Sequence, residues 1–330
     1  MKKVLLLFGG NSEEHYISCK SAKAILENID ISKFTITSVG ISKDNRWFIF
    51  DDKLEYLENG TWLEYCRHQE INNIITFVKD FDIVFPIIHG TNGEDGKIQG
   101  MLDLFQIKYV GCGTLASSIG MDKDMAKRIF SSVNISQVPS VTVTEKYDCN
   151  NILKKLRFPL IIKPANGGSS IGINIADNLD ELKDNINYAL KFDQKVIVEN
   201  FIKGRELECA VIEDNNNLYA STIGEILPCN DFYDYDSKYK LESKTIIPAD
   251  LDVETTNKIK KMAIQCFKVI NARGMARIDF FLVDKNIYLN EINTLPGFTP
   301  ISMYPKLLTY DKYRYKDIIS ILIENGLNRH

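Results

Sequence analysis

Near the C-terminal end of the chain, two acids and an amide have the types and spacing to hold a divalent cation: Asp279, Glu291 and Asn293. They lie in Arg-Ile-Asp-Phe-Phe-Leu-Val-Asp-Lys-Asn-Ile-Tyr-Leu-Asn-Glu-Ile-Asn-Thr-Leu-Pro-Gly, residues Arg277 to Gly297. Two runs rich in Ile, Phe, Val, Leu and Tyr flank a polar Asp284-Lys285-Asn286 turn, which predicts a β-hairpin. A three-residue loop pairs Val283 with Ile287. Counting outward sets Asp279 opposite Glu291 and Arg277 opposite Asn293, all on one face of the strands. Directly opposed like charges destabilise a sheet, and an unpaired carboxylate among apolar neighbours is costly to bury. A cation between them removes both objections. Carboxylates with an amide oxygen are hard ligands that suit Mg²⁺, its other positions going to water and substrate phosphate. The alternative is a hairpin with solvated charged ends, and this stretch alone leaves both open.

A second set of residues could handle phosphate. The strand Phe158–Ile162 ends at Lys163-Pro164 and runs into Ala165-Asn166-Gly167-Gly168-Ser169-Ser170-Ile171-Gly172. Flexible backbone amides and hydroxyls can close over phosphate oxygens, and Lys163 adds a point charge. A plain glycine-rich turn is the alternative. Lys123, Lys127 and Arg128 lie close together on the helix predicted over Met121–Phe130, where a charged solvent face is the simpler reading. Glu199 and Glu206 flank the connection between the strands Lys195–Glu199 and Leu207–Ile212. They could reach a nucleotide's hydroxyls or amino group, or stand as solvated turn acids. Asp231–Ser243 is an aromatic, charged loop without clean periodicity, and a long loop of that kind can serve as a lid.

The elements that must carry these groups alternate in type. Lys3–Phe8 predicts an apolar strand ending in Gly9-Gly10-Asn11-Ser12, followed by Glu13-Glu14-His15 and a helix over about Ser18 to Asn28. A strand near Phe34–Ile41 and a hairpin around Trp47–Phe50 follow. The strand Ile83–Ile88 ends at His89-Gly90-Thr91-Asn92-Gly93-Glu94-Asp95-Gly96. Open parallel sheets bind ligands beyond the carboxyl ends of their strands, so Glu14 and His89 arrive at one edge. A loop histidine bonded to nearby backbone is the commoner fate of a single His. Helices are predicted over Asn178–Lys191, Val253–Ile270 and Tyr313–Asn325. The fold class is therefore α/β, with α+β character in the C-terminal half.

Composition narrows the function classes. The 330 residues suffice for two or three units around separate cores. A net charge of −4 with acids and bases interspersed gives no electrostatic footprint for nucleic acid. No run of about 18 apolar residues predicts a membrane span. Met-Lys-Lys-Val-Leu-Leu-Leu-Phe-Gly-Gly has too short an apolar run for a signal peptide and lacks a cleavage site, so it reads as a buried strand. Seven cysteines (19, 66, 112, 149, 209, 229 and 266), odd in number and without a C-x-x-C, favour the reducing cytosol over a disulfide or zinc scaffold.

One motif points elsewhere. Gly111-Cys112-Gly113-Thr114-Leu115-Ala116 matches the dinucleotide pattern G-x-G-x-x-A. That pattern needs an acid roughly 20 positions on, but Ser131-Ser132-Val133-Asn134-Ile135 supplies none. An NAD-dependent oxidoreductase is disfavoured. No G-x-x-x-x-G-K-[ST] occurs, which excludes a P-loop.

Taken together, Lys163 with Asn166–Ser170, Glu199, Glu206 and Asp279/Glu291/Asn293 resemble the ATP-grasp superfamily. Gly9–Glu14, His89-Gly90-x-x-Gly93-Glu94-Asp95-Gly96, Phe232-Tyr233-Asp234-Tyr235-x-x-Lys238-Tyr239 and Asn293-Thr294-x-Pro296-Gly297 narrow the resemblance to the D-alanine–D-alanine ligase family, over nearly the whole chain. That resemblance implies a three-domain ATP-grasp fold: an N-terminal parallel-sheet substrate domain (1–118), a central subdomain (119–198) and a C-terminal subdomain with lid loop and metal site (199–330). Lys123 and Lys163 would hold ATP phosphates, Glu199 the adenine edge, Glu206 the ribose and Lys238 the γ-phosphate. Asp279, Glu291 and Asn293 would carry a pair of Mg²⁺ ions, for which Mn²⁺ could substitute. Glu14, Ser169 and Tyr239 would orient the first D-alanine, with His89 beside it. Arg277 and the Gly297 amide would face the oxyanion, and Ser302 with the Met303 amide the second D-alanine carboxylate. The resemblance further implies a cytoplasmic homodimer making D-alanyl-D-alanine for peptidoglycan precursors. Two positions depart or discriminate: Tyr16 stands where the family more often has an acid, and Met303 with Tyr239 resembles the D-alanine-specific type rather than the D-serine or D-lactate ligases.

Overall fold

The computed structural model describes residues 1–51, 53–66, 69–168, 171–227 and 244–328. Ser169, Lys238, Tyr239 and the aromatic loop 231–243 lie outside the described residues.

Among the described residues the strands form three sheets. The first has the order β3-β2-β1-β4, built from β1 (Lys2–Gly9), β2 (Phe34–Ile41), β3 (Trp47–Phe50) and β4 (Ile83–Pro86). Strand β1 runs parallel to both β2 and β4, while β3 is an antiparallel edge. Val4 to Phe8 are all fully buried. Such a run marks a strand covered on both faces, as parallel sheets require. Alternation divides it: Val4, Leu6 and Phe8 join Ile25, Trp62 and the C-terminal helix Tyr315–Leu327 in one core, and Leu5 and Leu7 join Val84, Ile98 and Leu102 in another.

The second sheet, β5-β8-β6-β7, comprises β5 (Ser140–Val143), β6 (Leu160–Pro164), β7 (Asn174–Ala176) and β8 (Val196–Asn200). The third, β11-β10-β9-β12-β13, comprises β9 (Arg205–Asp214), β10 (Asn217–Leu227), β11 (Lys244–Ile246), β12 (Met275–Val283) and β13 (Asn286–Asn293). Every pairing in these two sheets is antiparallel, so the α/β opening gives way to an α+β half. Met275, Ala210 and Ile212 from the third sheet enter the core that covers one face of β1, as do Phe298 and Tyr304. Full burial of each such apolar side chain is worth about 1.5–3 kcal/mol, so this shared core ties the hairpin β12–β13 to the first sheet.

The hairpin departs from its predicted turn. The loop has two residues, Asp284-Lys285, and Val283 pairs with Asn286 rather than Ile287. Between Phe280↔Leu289 and Asp279↔Glu291 a bulge at Asn290 restores the count, so Asp279 still faces Glu291 and Arg277 still faces Asn293. Strand β9 begins at Arg205, so Glu206 lies within it, opposite Ile226 and Phe281, and not on a connecting turn. Strand β10 and the helix Met303–Asp311 have no counterpart in the sequence reading.

Candidate active site

At the edge of the first sheet, two glycine turns set the approach. Gly9 and Gly10 both have φ near +90°, and a Cβ on Gly9 would stand 2.3 Å from the Ile41 carbonyl oxygen. The Ser12 hydroxyl donates to the His89 carbonyl at 2.6 Å, joining the loops after β1 and β4. Glu14 reaches across: its Oε2 is 2.9 Å from where a Gly90 Cβ would be, and both its carboxylate oxygens are 3.8 Å from the same point on Gly168. A carboxylate from the first sheet thus sits between that sheet's edge and the glycine-rich loop of the second.

The buried His89 ring is committed on both sides. Its Nε2 lies 2.9 Å from Ser21 Oγ, and its Nδ1 3.4 Å from Glu94 Oε1. Ser21 Oγ also accepts from the Phe298 N–H at 3.2 Å, and Glu94 accepts from the Gly90 N–H at 3.0 Å. One chain of polar contacts therefore links the turn after Gly297 to the loop beside Glu14. Burial pushes the Glu94 carboxyl up, the His89 bond pulls it down, and the nearby Glu14 adds to the rise; the net direction is upward.

The helix Lys123–Ser132 is started by Asp122, whose side chain accepts from the Asp124 and Met125 amides at 3.1 Å. Such a cap contributes about 1 kcal/mol. It places Lys123 in the first turn and Lys127 one turn on, on the same stripe. Lys123 Nζ donates to the Gly167 carbonyl at 2.8 Å and stands 4.0 Å from Glu291 Oε2, so it spans the glycine loop and the hairpin. Gly167 has φ +124°, with nothing within 4 Å of its Cβ position. Lys163, at the end of β6, pairs with Glu199 Oε2 at 2.8 Å, and Lys127 lies 2.6 Å from Glu199 Oε1. All three side chains are largely buried. Burial pushes the Glu199 carboxyl up, but Lys163 and then Lys127 outweigh it and hold it below the usual carboxylate range. Burial also lowers Lys127 despite Glu199.

On the third sheet, Glu208, Asp279 and Glu291 form a row directly across β9, β12 and β13. Arg277 meets this row from two residues away. Its Nε and Nη2 donate to the two oxygens of Asp279 at 2.8 and 2.7 Å, and its Nε is 3.1 Å from Glu208 Oε2. Burial works against the guanidinium charge, but Asp279 and Glu208 raise Arg277 well above its ordinary value. Asn293 Oδ1 is buried without a hydrogen-bond partner among the described residues. An orphaned buried carbonyl oxygen costs roughly 1–3 kcal/mol. Beside Asp279 and Glu291 it completes an all-oxygen donor set that fits a hard divalent cation. Among the described residues no group of three or more His, Cys, Asp or Glu is arranged as a metal cage, so such a cation would rest on two carboxylates and this amide, with substrate oxygens and water.

Gly297 faces the start of the last-but-one helix: its Cβ position is 2.7 Å from Ser302 Oγ. Ser302 is the N-cap of the helix Met303–Asp311, and its side chain makes no capping hydrogen bond. The Met303 side chain is buried, its Cε occupying the space of a Gly224 Cβ on β10.

Sequence reasoning put Lys127 on a solvated helix face and left out Ser21 and Glu208. The spacing of four between Lys123 and Lys127, and of two between Glu206 and Glu208, carried the signal.

Three sheets whose edges converge glycine turns, paired lysines and a carboxylate–amide hairpin define an ATP-grasp enzyme. The "D-ala D-ala ligase N-terminus" family model matches residues 3–112 and the "D-ala D-ala ligase C-terminus" model residues 129–324. The chain belongs to the D-alanine–D-alanine ligase family. It is 42% identical to the D-alanine–D-alanine ligase of Acetivibrio thermocellus, covering 100% of this chain and 96% of that one. With that of Clostridium acetobutylicum it shares 43%, over 100% and 99%. Among solved structures, the VanG D-Ala:D-Ser ligase from Enterococcus faecalis superposes with a TM-score of 0.89 at 36% identity, covering 98% of this chain and 99% of that one. The D-alanine-D-alanine ligase from Coxiella burnetii gives 0.87 at 31%, covering 100% and 94%. Among the described residues no helix is long and apolar enough to cross a membrane.

Proposed function

We infer that this chain joins two D-alanine molecules to D-alanyl-D-alanine with hydrolysis of ATP to ADP, supplying peptidoglycan precursors. The observation that carries this is Lys123, which bridges the glycine-loop carbonyl of Gly167 and the carboxylate of Glu291. It sets a phosphate-binding loop against a cation-binding hairpin, the pairing that phosphoryl transfer needs.

A carboxylate is a poor electrophile, so ATP first converts the D-alanine carboxylate to an acyl phosphate. Lys123, Lys163 and, on the lid, Lys238 neutralise charge spreading over the transferred phosphoryl oxygens. Glu199 and Glu206 take the base and ribose. Asp279, Glu291 and Asn293 would hold Mg²⁺, which would supply further charge neutralisation at the phosphates. Glu14 faces the ammonium of the first D-alanine, and Ser169 and Tyr239 share its orientation, with His89 behind Glu14. The second D-alanine, its carboxylate held by Ser302 and the Met303 N–H, attacks the acyl carbon. Arg277 and the Gly297 N–H face the oxyanion as phosphate leaves. Bulk water would hydrolyse the acyl phosphate, which gives the 231–243 loop its purpose as a lid. We divide the chain into units 1–118, 119–198 and 199–330, acting in the cytoplasm as a homodimer.

A second reading has D-serine or D-lactate at the second position, favoured by the likeness to a D-Ala:D-Ser ligase. Phosphate release from Mg-ATP, with products identified by mass spectrometry, separates the two. D-alanine alone should give strong release and the dipeptide. Release confined to mixtures with D-serine or D-lactate would move the assignment to the second reading.

A further inference from the structure

Among the described residues, three buried charges at the centre of the nucleotide region do not balance. Lys127 and Lys163 share one carboxylate, Glu199, leaving a net positive charge in a place largely closed to water. The two contacts differ in kind. Glu199 Oε1 is fully buried, and although Lys127 Nζ stands 2.6 Å away, that oxygen takes no aligned hydrogen bond. It keeps an acceptor direction open, which a buried carboxylate oxygen otherwise fills. Lys127 is itself fixed: it comes from the capped helix and also approaches the Val138 carbonyl at 3.4 Å. Lys163, by contrast, belongs to the strand that feeds the glycine loop.

We propose that Lys127 is a positioning residue for the base end of the nucleotide site. It holds the Glu199 carboxylate in place as acceptor for the exocyclic amino group of adenine, so that Lys163 can turn from Glu199 to phosphate without leaving that carboxylate unpaired. The inference rests on the nucleotide reading of Glu199 and Lys163 given above. The helix Lys123–Ser132 then serves both ends of one ligand, phosphate through Lys123 and base through Lys127, one turn apart. A 6-oxo purine carries an acceptor instead of a donor at the 6-position that Glu199 would meet, so Lys127 acts on the choice of base as well as on affinity.

The test compares Lys127→Met, Lys127→Arg and Glu199→Gln with the unaltered protein, measuring kcat and KM for ATP and for ITP at saturating D-alanine and Mg²⁺. Lys127→Met should raise the KM for ATP by about 10-fold, as the charged hydrogen bond from the adenine amino group to a displaced Glu199 is lost, while the KM for ITP moves far less and kcat falls less than KM rises. Lys127→Arg should recover most of the ATP preference. An equal rise for both nucleotides would overturn the proposal, because the lysine would then act on phosphate. So would unchanged KM values with only a lower melting temperature, the mark of a structural ion pair. If Glu199→Gln keeps the full preference for ATP over ITP, the base-end reading of Glu199 has failed, not the coupling of Lys127 to it.

Discussion

Arg277 and Asp279 grip each other two residues apart on one strand, the Arg277 Nε and Nη2 each donating to one of the two carboxylate oxygens. The carboxylate proposed to hold the cation is thus held ready by the group proposed to face the oxyanion. Asp279→Asn should lower kcat on the order of 10³-fold, the loss of several kcal/mol of charge stabilisation. Arg277 keeps Glu208 at 3.1 Å, so the fold should survive with its melting temperature within about 4 °C. Phosphate release and a thermal melt check both; turnover retained in this variant would sink the metal assignment.

Gly297→Ala addresses the turn proposed to face the oxyanion. The added Cβ meets Ser302 Oγ at 2.7 Å and displaces either the amide or the serine. The expected loss in kcat is about 10²-fold, as for removal of one oxyanion donor. Titration of D-alanine at saturating ATP should also show weaker binding at the second site.

Gly90→Ala tests how Glu14 is held. Gly90 has φ +73°, and the new Cβ would lie 2.9 Å from Glu14 Oε2. Left-handed backbone costs alanine about 1–2 kcal/mol, so the melting temperature should drop by several degrees. The KM for D-alanine should rise while that for ATP stays near its starting value, since Glu14 is proposed to face the amino acid.

The hairpin shows how far the sequence could be read. Alternation in Arg277–Asn293 is strong, so the facing of Asp279 and Glu291 was legible. The length of the turn was not, because a two-residue loop with a bulge at Asn290 and a three-residue loop without one give the same pairing at the far end. Strand β10 was missed for a different reason. Its register breaks between Ala220 and Ile223, which blurs the period of two, and Gly224 looks like a strand breaker. Gly224 is there because the Met303 methyl fills the space its side chain would need, a contact across 79 positions that no local pattern encodes. Lys127 and Ser21 were overlooked likewise. What makes them part of the site is Glu199 and Phe298, each far off in the chain.

A pH effect on stability follows from His15. Its ring is stacked on Trp62, its Nδ1 meets the Gly10 carbonyl at 2.5 Å, and its Nε2 accepts from the Trp62 N–H at 3.2 Å. Burial lowers its pKa below 6.5, and the Gly10 bond opposes only part of that. The unfolded chain therefore takes up the proton first as pH falls. This contribution to stability is complete above 6.5 and is lost downward toward the lower folded value. Urea melts from about pH 7.5 to about pH 5, the range that brackets the histidine titration, should show it, and His15→Phe should flatten that part of the profile.

Ligand-linked stability separates nucleotide classes without any turnover. Mg-ATP at about 100 times its Kd should stabilise the fold by about 2.7 kcal/mol, and NAD should leave the melting curve where it was.

The bulge at Asn290 gives the hairpin two independent registers, one at the turn and one at the acidic row. Losing Asn290 would remove the bulge and bring Glu291 next after Leu289, still opposite Asp279 and on the same face. A residue gained at Asp284-Lys285 would be taken up by the loop. Single-residue changes at either place therefore leave the donors facing as they do. The loop is free to drift, and the row of carboxylates is not.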